Sequence, residues 1–145
     1  MKTPQRGFSL IEVLVGLFLV AIAVLGLAQL FLTAVANNRN ADRAANAAFL
    51  AQQQIEWLRG FTADELAAYT ASGLAARDEI IDLNLDGTND FRRITTVDSA
   101  PASATAYQVG VRVYSADKLG EEALTLIQNP DRHHPRAFMS TIIAR

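Results

Sequence analysis

The chain has 145 residues, contains no cysteine and carries a formal net charge of −2 at pH 7. This length leaves room for one small domain beside a membrane segment, and the absence of cysteine excludes both disulfide bonds and thiol chemistry. The nearly neutral charge excludes the broad basic surface that is typical of proteins that bind nucleic acids.

The N-terminal part of the chain is apolar over a length that suits a membrane. Lys2 and Arg6 are its only charged residues before Glu12, and the next charge is Arg39. Residues 13–32 are long enough to cross a bilayer, which needs about 20 apolar residues. Because the basic residues precede this segment, the positive-inside rule predicts a cytoplasmic N-terminus and an external remainder.

A secretory signal peptide has the same basic start, and Gly26 to Ala28 resembles its small-residue cleavage site. The apolar run, however, continues through Leu32, beyond the point where mature sequence would begin. Glu12 also disfavours a plain signal or anchor, because an acidic residue within a membrane helix costs roughly 2.5 to 3.5 kcal/mol and usually has a partner. We therefore expect a retained helix in which Glu12 has a function.

Residues 7–14, GFSLIEVL, resemble the class III leader and N-methylation motif of type IV pilins and type II secretion pseudopilins. The resemblance implies that a prepilin peptidase cleaves between Gly7 and Phe8 and that the new N-terminal Phe8 is methylated. Cleavage would expose an ammonium group on Phe8, and a carboxylate in lipid such as Glu12 needs a cation of this kind on a neighbouring subunit. The alternative is a single-pass anchor whose Glu12 rests near the lipid headgroups.

Helical character continues beyond the membrane segment. Residues 34–59 contain no Gly or Pro and repeat small or apolar residues on one face. The members of that face are Ala41, Ala44, Ala45, Ala48, Ala51, Ile55 and Leu58. Gly60 after Arg59 is typical of a helix C-terminus. One helix from Phe8 to Arg59 is therefore predicted, with Trp57 in the core between helix and sheet.

A short second helix is predicted after this long one. Thr62 and Glu65 form the pattern of a capping box, in which each residue accepts a hydrogen bond from the other's backbone N–H. The helix should run through about Ala68 and end at Ser72-Gly73.

The second half of the chain has the period of β-strands. Alternating or β-branched runs predict three or four antiparallel strands, at residues 79–83, 90–97, 107–114 and 137–143. Residues 99–104 predict a hairpin connection, and residues 121–128 predict an extra strand or a turn of helix. The predicted fold class is α+β, with a long N-terminal helix, its first half spanning the membrane, packed on a small antiparallel β-sheet.

The connection between the first two strands resembles a calcium loop. Side-chain or backbone oxygens at positions 1, 3, 5, 7 and 9 are supplied by Asp82, Asn84, Asp86, Thr88 and Asp90. Gly87 stands at position 6, where the loop turns sharply. The twelfth position is Arg93 instead of the usual bidentate glutamate, so any calcium site would be weak. A polar Asp-Gly hairpin turn is the alternative.

No catalytic motif accompanies these elements. His133 and His134 are adjacent, lie between Pro130 and Pro135, and lack a third ligand at metal spacing, so we expect a solvated loop. The chain has neither a glycine-rich phosphate-binding loop nor a nucleophile elbow. We therefore expect a protein that is not an enzyme.

The resemblance also implies an organisation and a role. The expected parts are a cleaved leader at 1–7, a transmembrane and assembly helix at 8–32, a helical spine of the globular domain at 33–60, and a connecting segment with the sheet at 61–145. The chain is most similar to minor pilins of the pilus-modification V type, which prime or cap type IV pili. This similarity rests on the start at Glu12 to Val15, the helix end before Gly60, the lack of a C-terminal disulfide loop, and a chain that stops after its last strand.

The partners implied by the resemblance are other major and minor pilins, the prepilin peptidase and methyltransferase, and the inner-membrane assembly platform. The subunit would reside in the inner membrane, with its C-terminal domain in the periplasm, and then in a pilus at the cell surface. A minor pseudopilin of a type II secretion tip complex shares every motif quoted above. A membrane-anchored periplasmic binding module that never polymerises is the third possibility.

Overall fold

The computed structural model describes residues 9–71, 77–99 and 106–145. The chain divides into two compact units, Met1–Ala41 and Asp42–Arg145. Helix α1 runs from Leu10 to Arg59 and continues through Gly26 without a break, which confirms the predicted long helix. It ends where Gly60 was expected to end it, and the Gly60 N–H donates to the Trp57 carbonyl at 3.1 Å.

Helix α2, Ala63–Ala71, begins at the predicted capping box. The Thr62 N–H donates to Glu65 Oε2 at 2.7 Å, and the Glu65 N–H donates to Thr62 Oγ1 at 3.4 Å. The first of these bonds lowers the pKa of the Glu65 carboxyl. The helix extends three residues beyond the predicted end near Ala68, and the predicted stop at 72–73 lies outside the described residues.

A four-stranded antiparallel sheet in the order β1-β2-β3-β4 forms one layer of the second unit. The strands are β1 Arg77–Ile81, β2 Phe91–Ser99, β3 Ala106–Ser115 and β4 Ala137–Ala144. Each predicted strand is confirmed, with shifted ends. Strand β1 stops at Ile81 because the Asp90 N–H donates to its carbonyl at 2.9 Å and closes the loop there. Most of the predicted connection 99–104 lies outside the described residues.

Two short helices precede β4. For residues 121–128 the sequence predicted either a strand or a turn of helix, and the structure has a helix there, α3, Ala123–Gln128. Helix α4, Pro130–His133, replaces part of the predicted loop, and its proline stands at the first turn, where a missing N–H costs nothing. His134 follows in the left-handed conformation with φ 43°.

The main core lies between one face of α1 and one face of the sheet. Its buried members are Ala47, Leu50, Ala51, Ile55, Leu58, Leu66, Phe91, Val97, Tyr107, Val109, Val111, Val113 and Ile143. The prediction for the helix face is correct for Ala51, Ile55 and Leu58, while Ala48 is only partly buried. It is wrong for Ala41, Ala44 and Ala45, which are exposed. Burial on α1 starts only at Ala47, so a regular sequence face does not tell where packing begins.

A smaller cluster covers the opposite face of the sheet. Ile94 of β2 and Tyr114 of β3 are fully buried against Leu126 of α3. The Tyr114 hydroxyl donates to the Leu126 carbonyl oxygen at 2.8 Å. Helix α3 therefore places the sheet between two layers.

Trp57 does not lie in the core, contrary to the prediction, and 43% of it is exposed. Its ring packs edge-on against Phe61 with centroids 4.4 Å apart, and the Arg77 guanidinium lies 4.7 Å above it. Position 57 lies beside the buried face of α1, so the ring reaches the loop after the helix instead of the sheet.

Candidate assembly segment and acidic loop

The N-terminal part of α1 has no packing partner among the described residues of its unit. Every side chain from Leu10 to Leu32 is exposed. The most apolar 18-residue window of the helix has a mean hydropathy of 2.8 and is 0% buried. This helix is long and apolar enough to cross a membrane. The lack of burial distinguishes the segment from the core helix of a soluble protein, whereas a signal sequence would pass the same test of length and composition.

Glu12 lies in the first turn of α1, and its N–H donates to the Ser9 carbonyl at 3.0 Å. Among the residues that the structure describes, its carboxylate has no hydrogen-bond or ion-pair partner. The hydroxyl group of Thr33 is satisfied within the helix, because Thr33 Oγ1 donates to the Gln29 carbonyl at 2.9 Å. Gly7 and Phe8, the predicted cleavage and methylation residues, lie outside the described range.

Two glycines interrupt the apolar surface. A Cβ atom at Gly16 or Gly26 would meet no described atom within 4 Å. Neither glycine is therefore required by a close approach within the part of the chain that the structure describes. Small residues at such positions are typical of membrane helices whose backbones approach one another.

An apolar, unpacked helix with one acidic residue near its start is thus present next to a short basic N-terminus. Residues 2–28 match the family model described as the prokaryotic N-terminal methylation motif. The chain carries that motif. The residues on which the resemblance to pilins was based, 7–14, all lie within the match.

The methylation motif supports a type IV pilin-like or pseudopilin-like protein, a structural subunit instead of an enzyme. It implies processing by a prepilin peptidase and assembly with other pilins. Together with the apolar helix it indicates membrane anchoring. No curated protein matches the chain, and neither does any solved structure. The four-stranded sheet packed on α1 has the pilin-like α+β arrangement that was predicted.

The acidic loop between β1 and β2 is closed by its own hydrogen bonds. Gly87 N–H donates to Asp82 Oδ2 at 2.8 Å, and Leu83 N–H donates to Asp90 Oδ2 at 3.0 Å. Asp86 accepts from the Thr88 N–H and hydroxyl and from the Asn84 amide. The Thr88 hydroxyl bond lowers the pKa of the Asp86 carboxyl most.

The five predicted calcium ligands therefore belong to one loop and are hydrogen-bonded within it. Asn84, Asp86 and Thr88 bond one another, whereas Asp82 and Asp90 accept from the backbone N–H groups of Gly87 and Leu83. Asp82 Oδ1 is buried and has no hydrogen-bond partner. In the part of the chain that the structure describes, no three His, Cys, Asp or Glu side chains are grouped so that they could hold a metal ion. Calcium binding stays a prediction.

Arg93, the residue at the twelfth loop position, makes contacts outside the loop. Its Nε and Nη2 donate to Glu79 Oε2 at 3.0 and 2.7 Å. Neighbouring Arg92 makes an equivalent pair with Asp78 at 2.9 and 2.7 Å and also donates to the Lys118 carbonyl. Sequence reasoning missed both roles, although two consecutive arginines in a strand are an unusual signal for a buried sheet.

Proposed function

We propose that the chain is a minor pilin subunit of a type IV pilus, of the pilus-modification V type, and that it primes or caps filament assembly after prepilin peptidase cleavage. The main support for this proposal is a methylation motif on an apolar helix whose side chains are unburied by the described residues of their own unit. A subunit built in this way has its largest apolar surface available for other subunits.

The driving force for assembly depends on whether this apolar surface contacts lipid, water or other subunits. In the inner membrane, the apolar side chains of α1 face lipid, so their exposure to it carries no free-energy penalty. Once a subunit leaves the bilayer, the same surface would meet water at about 25 cal/mol per Å². Burial against the helices of other subunits removes this penalty, and Gly16 and Gly26 provide positions where two backbones can approach closely.

Glu12 gives the assembly its register. After cleavage at Gly7, the amino group of Phe8 carries a positive charge, and Glu12 of a neighbouring subunit is the carboxylate that neutralises it. The described residues provide Glu12 with no partner of its own. An unpaired carboxylate in an apolar environment is strongly unfavourable, so only subunits aligned to make this pair are stable.

The proposed location follows from the same segment. The basic residues before the apolar run keep the N-terminus in the cytoplasm. The unit Asp42–Arg145 would then lie in the periplasm and later at the cell surface, in contact with other major and minor pilins and with the inner-membrane assembly platform.

The test compares Glu12→Ala with Glu56→Ala in cells whose sheared pili are probed for the subunit. Glu56 is a matched control because it is an exposed acidic residue on the same helix, 55% accessible in its side chain. We expect Glu12→Ala to remain in the membrane fraction and to be lost from pili, while Glu56→Ala is incorporated normally. Incorporation of Glu12→Ala at the wild-type level would reject the assembly role and favour a plain anchor.

A strain that lacks the gene distinguishes a role in a pilus from a role in a secretion system. The proposal predicts loss of surface pili with unchanged secreted enzymes. Loss of secretion with intact pili would overturn it in favour of a type II secretion pseudopilin. Mass spectrometry of the mature protein checks the processing, because the N-terminal residue should be methylated Phe8.

A further inference from the structure

Two neighbouring depressions on the unit Asp42–Arg145 share one wall. The first has a volume of about 370 Å³ and the second a volume of about 560 Å³. Ser115, Asp117 and Arg136 line both, so the two form one concave surface, which we call the β3-end cavity. Arg43 of α1 completes the first depression, and the segment around Arg132 completes the second.

The β3-end cavity concentrates positive charge. Arg43, Arg132 and Arg136 line it, and none of the three forms an ion pair with a carboxylate among the described residues. Arg136 is nevertheless close to Asp117, whose carboxyl pKa is lowered by its hydrogen bond with Ser115 and, less strongly, by Arg136. Lys118 also lines it, 3.9 Å from Asp117. This grouping is not expected from composition, because the whole chain has a net charge of −2.

Both carboxylates of the cavity already accept a hydrogen bond. Asp117 accepts a short hydrogen bond from the Ser115 hydroxyl and lies next to Lys118. Asp90 accepts from the Leu83 N–H at 3.0 Å. The lining of the cavity therefore has four basic side chains, those of Arg43, Lys118, Arg132 and Arg136, against the two carboxylates of Asp90 and Asp117.

A buried polar atom in the same wall lacks a partner. Nδ1 of His133 is buried and makes no hydrogen bond to any described residue. An atom of this kind is costly unless a ligand or water satisfies it. The next residue, His134, holds a left-handed backbone, with φ 43°, which is uncommon for a residue other than glycine.

We propose that the β3-end cavity binds a phosphate-type dianion. A guanidinium group presents a planar set of donors that matches the oxygens of phosphate, and it is always charged. Together with Lys118, three such groups outnumber the two carboxylates of the same concave surface, Asp90 and Asp117, so an anion can bind there without a repelling excess of negative charge. The anion is either free phosphate or the phosphate group of a small ester, since both present the same oxygens.

The test is a thermal unfolding titration of the full-length protein in a non-ionic detergent, with sodium phosphate compared with sodium chloride of equal ionic strength. We expect phosphate to raise the unfolding temperature more than chloride does, and to raise it more in the wild type than in Arg136→Gln, because the general stabilisation by phosphate is the same in both proteins. Arg136→Gln should weaken phosphate binding by about tenfold or more, because it removes a charge-assisted hydrogen bond. Arg39→Gln is the matched control, since Arg39 is an exposed arginine that does not line the cavity, and it should leave binding unchanged.

The same titration distinguishes the sources of the anion. Binding of inorganic phosphate but not of glycerol 3-phosphate assigns the cavity to the free ion, whereas binding of both assigns it to phosphate groups in general. Equal shifts with phosphate and chloride would overturn the proposal. So would an Arg136→Gln variant that binds phosphate like the wild type, or a glutamate-rich peptide that binds where phosphate does not.

Discussion

Arg93 of strand β2 donates a hydrogen bond from Nη1 to the carbonyl oxygen of Leu50 in helix α1 at 3.1 Å. The same guanidinium bonds Glu79, the residue directly opposite it on β1. Only 9% of Arg93 is exposed. One side chain therefore ties the helix, the central strand and the edge strand together inside the core layer.

Replacement of Arg93 by alanine should lower the free energy of unfolding by about 2 to 3 kcal/mol, because the Leu50 carbonyl loses a donor and Glu79 loses the more buried of its two arginine partners. Arg77→Ala is the control. Arg77 also pairs with Glu79, at 2.7 Å, but its side chain is 40% exposed, so its loss should cost about 1 kcal/mol or less. Urea unfolding followed by circular dichroism measures both, and equal losses would contradict the role of Arg93.

Tyr114 should make stability sensitive to alkaline pH. Burial raises the pKa of its hydroxyl, so the folded protein holds this proton more tightly than the unfolded chain does. The resulting stabilisation is complete below the ordinary tyrosine pKa of about 10. It is lost as the pH rises from there through the raised pKa that Tyr114 has in the folded protein. Unfolding measured at several pH values above neutrality should show wild-type stability falling in that range, with a shallower fall for Tyr114→Phe.

At neutral pH, Tyr114→Phe should cost about 1 kcal/mol, because the Leu126 carbonyl near the end of α3 loses its donor. A variant as stable as the wild type at pH 7, with the same dependence at high pH, would show that the hydroxyl contributes nothing.

Gly110 should not tolerate a side chain. A Cβ atom at this position of β3 would lie 2.9 Å from Thr96 Oγ1 on the neighbouring strand. Thr96 is nearly buried and its hydroxyl bonds the Gly110 carbonyl at 3.3 Å, so it has little room to move. We expect Gly110→Ala to destabilise the protein by about 1 to 3 kcal/mol.

Gly120→Ala provides the comparison, because a Cβ atom there would meet no described atom within 4 Å. Thermal unfolding of the two variants side by side gives the answer. If Gly110→Ala unfolds at the same temperature as Gly120→Ala, the close approach to Thr96 is unimportant.

Calcium binding to the acidic loop can be tested by the stability that it would add. A site with a dissociation constant of about 10⁻⁴ to 10⁻³ M would stabilise the fold by about 1.4 to 2.7 kcal/mol at about 10 mM calcium. We expect the unfolding temperature to rise with calcium and the rise to disappear in Asp86→Asn. The absence of both heat and thermal shift in millimolar calcium would leave the loop as a hydrogen-bonded turn.

The elements that sequence reasoning predicted well depend on near neighbours. The capping box of Thr62 and Glu65, the stop at Gly60 and the alternation along β3 each need only a few consecutive residues, and each was found. The interval 121–128 could not be resolved in this way, because a short apolar run suits a strand or a helix equally. In the structure the segment is a helix, and its Leu126 packs against Ile94 and Tyr114 of the sheet.

By itself, the sequence determined the methylation motif, the long apolar helix, the α+β fold class and the period of each strand. These properties arise from local hydrogen bonding and from hydrophobic spacing along a single segment. Only the tertiary structure decided that α1 packs from Ala47 onward, that Trp57 lies outside the core, and that Arg93 reaches Leu50. Those outcomes depend on which faces of distant segments pack together, and the pattern of residues within one segment does not specify that packing.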